Sequence, residues 1–165
     1  MVDLIIEVTY GSNLKYEIDK NKNMLRLDRV LKTSMMYPGN YGYFPDTLAG
    51  DGDPLDVLLI SEYKLLPGIL VSSRIIGMLV TEDEKGMDEK ILAVPSDSID
   101  DTYKYIRNYD QLNVSTLNKI KHFFENYKIL EDKKWVKVIG FEGRKKAIEV
   151  YNISKKNFVD KKDNN

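Results

Sequence analysis

Asp51, Asp53 and Asp56 crowd three carboxylates into six residues, and in an extended chain the first two would share a face about 6 to 7 Å apart at roughly 3.3 Å per residue. Like charges that close repel, so a protein either leaves them hydrated on a turn or neutralises them with hard cations that prefer oxygen ligands. For a generic Asp-Gly turn the hydrated state is the commoner one. The apolar run Val57-Leu58-Leu59-Ile60 directly behind the cluster tilts the reading toward cations, because a buried strand would pin the carboxylates at its rim. Hard cations held by aspartates work on phosphates: magnesium takes one or two protein carboxylates, keeps several waters and binds substrate oxygen. A phosphate substrate then needs cationic side chains, and Lys15, Arg29, Lys90 and Lys128 stand beside the suspected loops. Singly, each of these is an ordinary surface charge; their force comes from convergence.

Competing chemistries fit less well. An EF-hand loop starting at Asp51 would place ligands at Asp51, Asp53 and Glu62, but its fifth position is Leu55, its glycine position is Asp56, and Pro54 stiffens it. Zinc lacks a nitrogen or sulfur set, since His122 is the only histidine and there is no cysteine. A serine-histidine triad would need that same histidine, which is read as a packing or surface residue, and no Gly-x-Ser-x-Gly elbow is present. Walker-type and dinucleotide-binding glycine loops are also missing.

The elements that must hold these side chains are legible in outline. Val2 to Val8, Leu14 to Asp19, Met24 to Asp28, Val57 to Ser61 and Ile69 to Val80 are β-branched or alternating, punctuated by Gly, Asn, Pro and Asp. Several short strands in succession predict a barrel or sandwich. A helix is expected from Ser115 as N-cap, with Leu117, Ile120, Phe123, Phe124 and Tyr127 at helical spacing as its core stripe. A last strand, Trp135 to Phe141, precedes a helical pattern from about Arg144 to Phe158, and residues 160–165 read as a frayed polar tail. Tyr37 to Pro45 is expected to form a rigid, non-repeating aromatic loop. With no internal repeat or linker, residues 1–165 are read as one α+β domain.

Charge and composition narrow the function. The 25 basic and 26 acidic residues leave a net charge of -1, so nothing pulls the whole chain toward nucleic acid or an acidic membrane, and any polyanion site must be local. At 42% hydrophobic residues the chain can build a core, which excludes wholesale disorder. Zero cysteines exclude disulfides and thiolate catalysis. The start of the chain lacks the basic and long apolar segments of a signal peptide, and the longest charge-free apolar stretch, Leu65 to Ser73, is far below the roughly 20 residues of a membrane helix. A cytoplasmic protein with no membrane partner is expected.

These residues together resemble the soluble family I inorganic pyrophosphatases in their short bacterial form. The signature Asp-x-Asp-Pro-x-Asp is met by Asp51-Gly52-Asp53-Pro54-Leu55-Asp56. The resemblance extends through Lys15-Tyr16-Glu17-Ile18, Asp28-Arg29, Tyr37-Pro38-Gly39-Asn40-Tyr41-Gly42-Tyr43, Asp83 to Lys90, Ala93-Val94-Pro95 and His122 to Lys128, in the family's order. It departs at Val8-Thr9 and at Ile75, where the family commonly has proline; both changes concern backbone stiffness. The resemblance implies a mainly β, α+β fold built on a closed five-stranded OB-like barrel with helices packed outside, and magnesium-dependent hydrolysis of pyrophosphate to two phosphates. It implies several magnesium ions per site, with Asp51, Asp56 and Asp88 on the activating ion, Asp56 bridging toward a second, and Asp83 with Asp88 on an ion brought with substrate. Glu7 and Glu17 would reach the metals mainly through water, and Asp53 would take the proton of the attacking water. Lys15, Arg29, Tyr41, Lys90, Tyr127 and Lys128 would grip the phosphoryl groups. A homohexamer is implied because the extensions of the dimeric eukaryotic form are missing.

A different class of function keeps the same fold: an oligonucleotide-binding barrel whose tyrosines stack bases and whose lysines track phosphates. The aspartates crowded beside the aromatic segment would repel such a backbone unless metals intervened. A purely structural calcium site is the third and weakest reading.

Overall fold

A computed structural model describes residues 1–164. Among them, eight strands come first or flank the helices: β1 (Val2–Val8), β2 (Leu14–Asp19), β3 (Met24–Val30), β4 (Asn40–Tyr43), β5 (Asp56–Leu59), β6 (Leu70–Asp83), β7 (Gly86–Pro95) and β8 (Val136–Gly143). The two α-helices are α1 (Val114–Asn126) and α2 (Arg144–Asp163). The sheet runs β1-β4-β5-β7-β6 and returns to β1, because Val2–Ile5 of β1 also pairs with Leu70–Ser73 of β6. Five strands thus close a ring, the OB-like arrangement the resemblance implied, and the helices lie outside it. Long β6 uses one edge twice, first for β1 and then, from Gly77, for β8. The hairpin β2–β3 forms its own two-stranded sheet.

Side chains alternate across a strand with period two, and here both faces of the central strands are apolar. Val57 and Leu59 of β5, with Ile91 and Ala93 of β7, join Leu4, Ile6 and Phe44 in one buried cluster. Leu58 of β5, with Leu92 and Val94 of β7, faces the other way onto Ile120, Phe123 and Phe124 of α1. That double burial explains why Val57 to Ile60 reads as an unbroken apolar run. Full burial of Phe123 and of Phe124 stabilises the α1 contact by roughly 1.5 to 3 kcal/mol each.

Four local expectations need correction. The cap of α1 is Asn113, whose side chain accepts from the Ser115 N–H at 2.8 Å, so Ser115 lies inside the helix. The aromatic segment is not wholly a loop: Asn40–Tyr43 is β4, squeezed between β1 and β5. Any side chain at Gly42 would run into the Ile5 and Ile6 backbone of β1, so only glycine permits that approach. Strand β7 was not anticipated, since its charged start, Asp88-Glu89-Lys90, obscures the apolar end. Finally, α2 continues to Asp163, which makes residues 160–163 helical; the rest of the expected frayed tail reaches Asn165, outside the described residues.

Candidate active site

One cavity of about 240 Å³ opens between the β2–β3 hairpin, the ring and the end of α1. All thirteen side chains singled out above line it: Glu7, Lys15, Glu17, Arg29, Tyr41, Asp51, Asp53, Asp56, Asp83, Asp88, Lys90, Tyr127 and Lys128. Each arrives by a separate structural cause. In the parallel β5–β7 pair Asp56 is the register partner of Lys90, and Asp88 shares its face two residues earlier. Phe123 and Tyr127 stack at 5.1 Å, and the Tyr127 N–H bonds to the Phe123 carbonyl, so the last turn of α1 sets where Lys128 begins. The Asp51 turn is held by local bonds: Ala49 N–H to Asp53 O at 2.8 Å, and Asp53 N–H to the Asp51 carboxylate Oδ1 at 3.0 Å.

Lys90 is the centre of the buried end. It is 3% exposed, donates to Tyr41 Oη at 2.8 Å, and lies 3.0 Å from Asp88 and 3.4 Å from Asp56. Tyr41 in turn donates to Asp56 Oδ2 at 2.8 Å. Burial pulls the Lys90 ammonium down, but Tyr41, Tyr127, Asp88 and Asp56 outweigh it and hold its pKa well above the ordinary value. Burial also raises the Asp56 carboxyl; Lys90 opposes that rise and Asp88 adds to it.

At the hairpin, Lys15 meets Glu17 at 2.7 Å and Asp28 at 3.2 Å. Arg29 bonds to Asp28 through Nε at 2.9 Å and to both oxygens of Glu131 through Nη1 at 2.8 Å. Lys128 faces Asp83 at 3.5 Å, and Lys20 lies 3.9 Å from Asp53. Glu131, Lys20 and Tyr37 were missed by the sequence reading; Glu131 carries no local signal, because its partner Arg29 is 102 positions away.

Seven carboxyl groups and six cationic groups, Lys85 being the sixth, thus line this one cavity. Most of the cations at this cavity are already paired with an acid. Among the described residues no three acidic or imidazole groups converge closely enough to hold a metal ion, because lysine and arginine stand between the carboxylates.

The Glu7 carboxyl is strongly perturbed. Burial pushes its carboxyl from 4.5 up to about 7; the Ile18 N–H, 2.7 Å from Oε2, pulls it back, while Asp56 and Glu17 push it further up. The folded protein therefore holds this proton more tightly than the unfolded chain. The resulting stability is full below about 4.5 and is lost as pH rises through about 7. In metal-free buffer, Glu7→Gln should gain on the parent protein across that window, by up to about 3 kcal/mol. Denaturant titrations at stepped pH report this difference; a gap independent of pH would mean an unperturbed carboxyl.

Sequence and shape both find relatives. Residues 4–158 match the family described as inorganic pyrophosphatase. The chain belongs to the inorganic pyrophosphatase family. It is 51% identical over 157 residues to the inorganic pyrophosphatase of Campylobacter jejuni, spanning 95% of this chain and 91% of that protein. It is 47% identical over 155 residues to that of Saccharolobus solfataricus, spanning 90% of each. The solved Helicobacter pylori inorganic pyrophosphatase superposes with a TM-score of 0.93 at 49% identity, covering 94% of this chain and 92% of that one. The Thermus thermophilus inorganic pyrophosphatase gives 0.92 at 45% identity, covering 95% and 90%. Family membership makes the chain a hydrolase, of a family that works with a divalent metal. Among the described residues, no helix is long and apolar enough to cross a membrane.

Proposed function

We propose that this chain hydrolyses inorganic pyrophosphate to two phosphates with magnesium, at the cavity of interleaved acids and bases. The observation that carries this reading is the interleaving itself. A lining of seven carboxyls and six cations suits neither a bare anion nor a bare cation. It suits their complex, since carboxylates can turn to metal while lysine and arginine turn to phosphate oxygen.

The donor set fits magnesium. Its acids offer oxygen ligands alone, which suits a hard cation that keeps several waters beside them. Asp51, Asp56, Asp83 and Asp88 would hold the ions, with Glu7 and Glu17 acting through water. Bound magnesium neutralises phosphate charge and lowers the proton affinity of water. Asp53, exposed at the cavity mouth, accepts the proton of the attacking water. Arg29 suits paired contact with phosphate oxygens, and Lys15, Lys90 and Lys128 act as point charges. With the Tyr41 and Tyr127 hydroxyls, they stabilise the charge that develops on the leaving phosphate.

Phosphate release from pyrophosphate should require magnesium; no release with or without the ion would overturn the reading. Single-stranded oligonucleotides should not bind, because the acids that alternate with the bases repel a phosphate backbone. The same reading makes the protein a cytoplasmic homohexamer. Sedimentation at a mass near six chains is the expected result, and a monomer at micromolar concentration would contradict it.

A further inference from the structure

Arg29 lines the cavity, yet the acid that meets it twice does not. Nη1 of Arg29 lies 2.8 Å from both oxygens of Glu131, while Nε donates to Asp28 at 2.9 Å. Glu131 is not among the residues that line the cavity, and its side chain is only 13% exposed. A guanidinium carries five N–H groups in a rigid planar fork, so fixing two of its nitrogens fixes the direction of the third. That third nitrogen, Nη2, donates to no side chain or backbone group among the described residues. Charge-assisted bonds of this length are among the stronger ones a side chain makes.

The surrounding chain gives Arg29 little else to lean on. Its strand, β3, pairs with β2 alone, and Met24, Leu27 and Val30 of that strand are exposed. Glu131 sits in the turn after α1, where its N–H bonds to the Lys128 carbonyl at 2.9 Å. Lys128 is another cation of the cavity. One acidic residue therefore ties the hairpin to the end of α1, and Arg29 to the turn that carries Lys128. A carboxylate that competed with phosphate for Arg29 would have to face the cavity, and Glu131 does not line it. We propose that Glu131 is a positioning residue, which holds the Arg29 guanidinium so that Nη2 is left for a phosphate oxygen and sets it in register with Lys128. The inference deepens the function proposed above and rests on Arg29 meeting phosphate there.

Glu131→Ala should lower kcat/KM for pyrophosphate about tenfold or more, since a small misplacement of a clamping group costs up to about 10²-fold. Glu131→Gln, whose amide oxygen still accepts from Nη1, should lose less. The deciding measurement is a double-mutant cycle with Arg29→Ala. In that background Glu131→Ala should change kcat/KM by less than about twofold, because the group it positions is gone. An equal fold-loss in both backgrounds would make Glu131 merely structural and overturn the proposal. A rise in turnover in Glu131→Gln would also overturn it, by making Glu131 a rival of the substrate. Thermal midpoints show which variants are folded, and the near-isosteric Glu131→Gln carries the cycle if Glu131→Ala is not. Calorimetric titration with inorganic phosphate in magnesium repeats the cycle without hydrolysis, and Glu131→Ala should weaken phosphate binding only where Arg29 is present. If the parent protein binds phosphate but hydrolyses no pyrophosphate, the reading of function falls and this second cycle still decides the role of Glu131. A parent protein that binds no phosphate overturns both.

Discussion

Replacing Asp53 with asparagine should lower turnover by about 10² to 10⁴-fold, the usual contribution of a positioned proton acceptor, while leaving fold and magnesium binding nearly intact. The expectation follows from how little the side chain does structurally. It is 74% exposed, and its nearest charged neighbour is Lys20 at 3.9 Å. The turn around it is closed by backbone groups, Ala49 N–H to Asp53 O and Gly52 N–H to Ala49 O, which the substitution does not touch. Asparagine keeps the shape and removes the ability to take a proton. Stopped phosphate-release assays give turnover, calorimetry gives magnesium affinity, and a thermal midpoint within a few degrees of the parent separates chemistry from folding. Turnover within threefold of the parent would move the base elsewhere, with Asp51 the next carboxylate on the same turn.

Much of this site could be read from the chain because its acidic half is local. Asp51, Asp53 and Asp56 are neighbours in sequence, and the buried β5 behind them is an apolar run visible without a structure. The partners of that cluster are not local. Lys90 meets Asp56 only because β5 and β7 pair in parallel, with the fourteen residues of β6 passing between them in sequence; the sequence marks Lys90 as one cation among several, and no spacing pairs it with Asp56. β4 was hidden for a related reason. Asn40 and Gly42 have low strand propensity, and Asn40, Tyr41 and Gly42 are all buried, so the sequence shows no alternation between faces. What makes it a strand is the pair of neighbours, β1 and β5, that claim its backbone groups. Strands β2 and β3 and both helices, whose patterns depend on residues close in sequence, were read to within five positions, though not the pairing of the two strands.

The other large effect is expected at Lys90. Lys90→Met keeps length and apolar contact with the Tyr41 and Phe124 rings, each 5.3 Å from the ammonium, and removes the charge. Activity, read as kcat/KM, should fall about 10²-fold or more, since a buried cation aimed at developing phosphate charge is lost. Stability should fall as well. Asp56 and Asp88 lose the ammonium at 3.4 and 3.0 Å that separates them, and Tyr41 loses a donor at 2.8 Å. Breaking a fully buried pair costs 3 to 5 kcal/mol, but these carboxylates keep contact with solvent, so about 1 to 3 kcal/mol is expected at neutral pH. The sign of the pH dependence distinguishes this cause from simple loss of packing. Burial already raises the Asp56 carboxyl, and Lys90 opposes that rise most, with the Tyr41 hydroxyl helping. Without it the folded form binds the Asp56 proton still more tightly, so the deficit of the variant should shrink as pH falls and that proton is taken up. Magnesium should also restore part of the stability, by giving the two acids another counter-ion. A deficit that stays constant with pH and magnesium would assign the loss to packing, and would remove Lys90 from its place as the charge that keeps the site's acids apart.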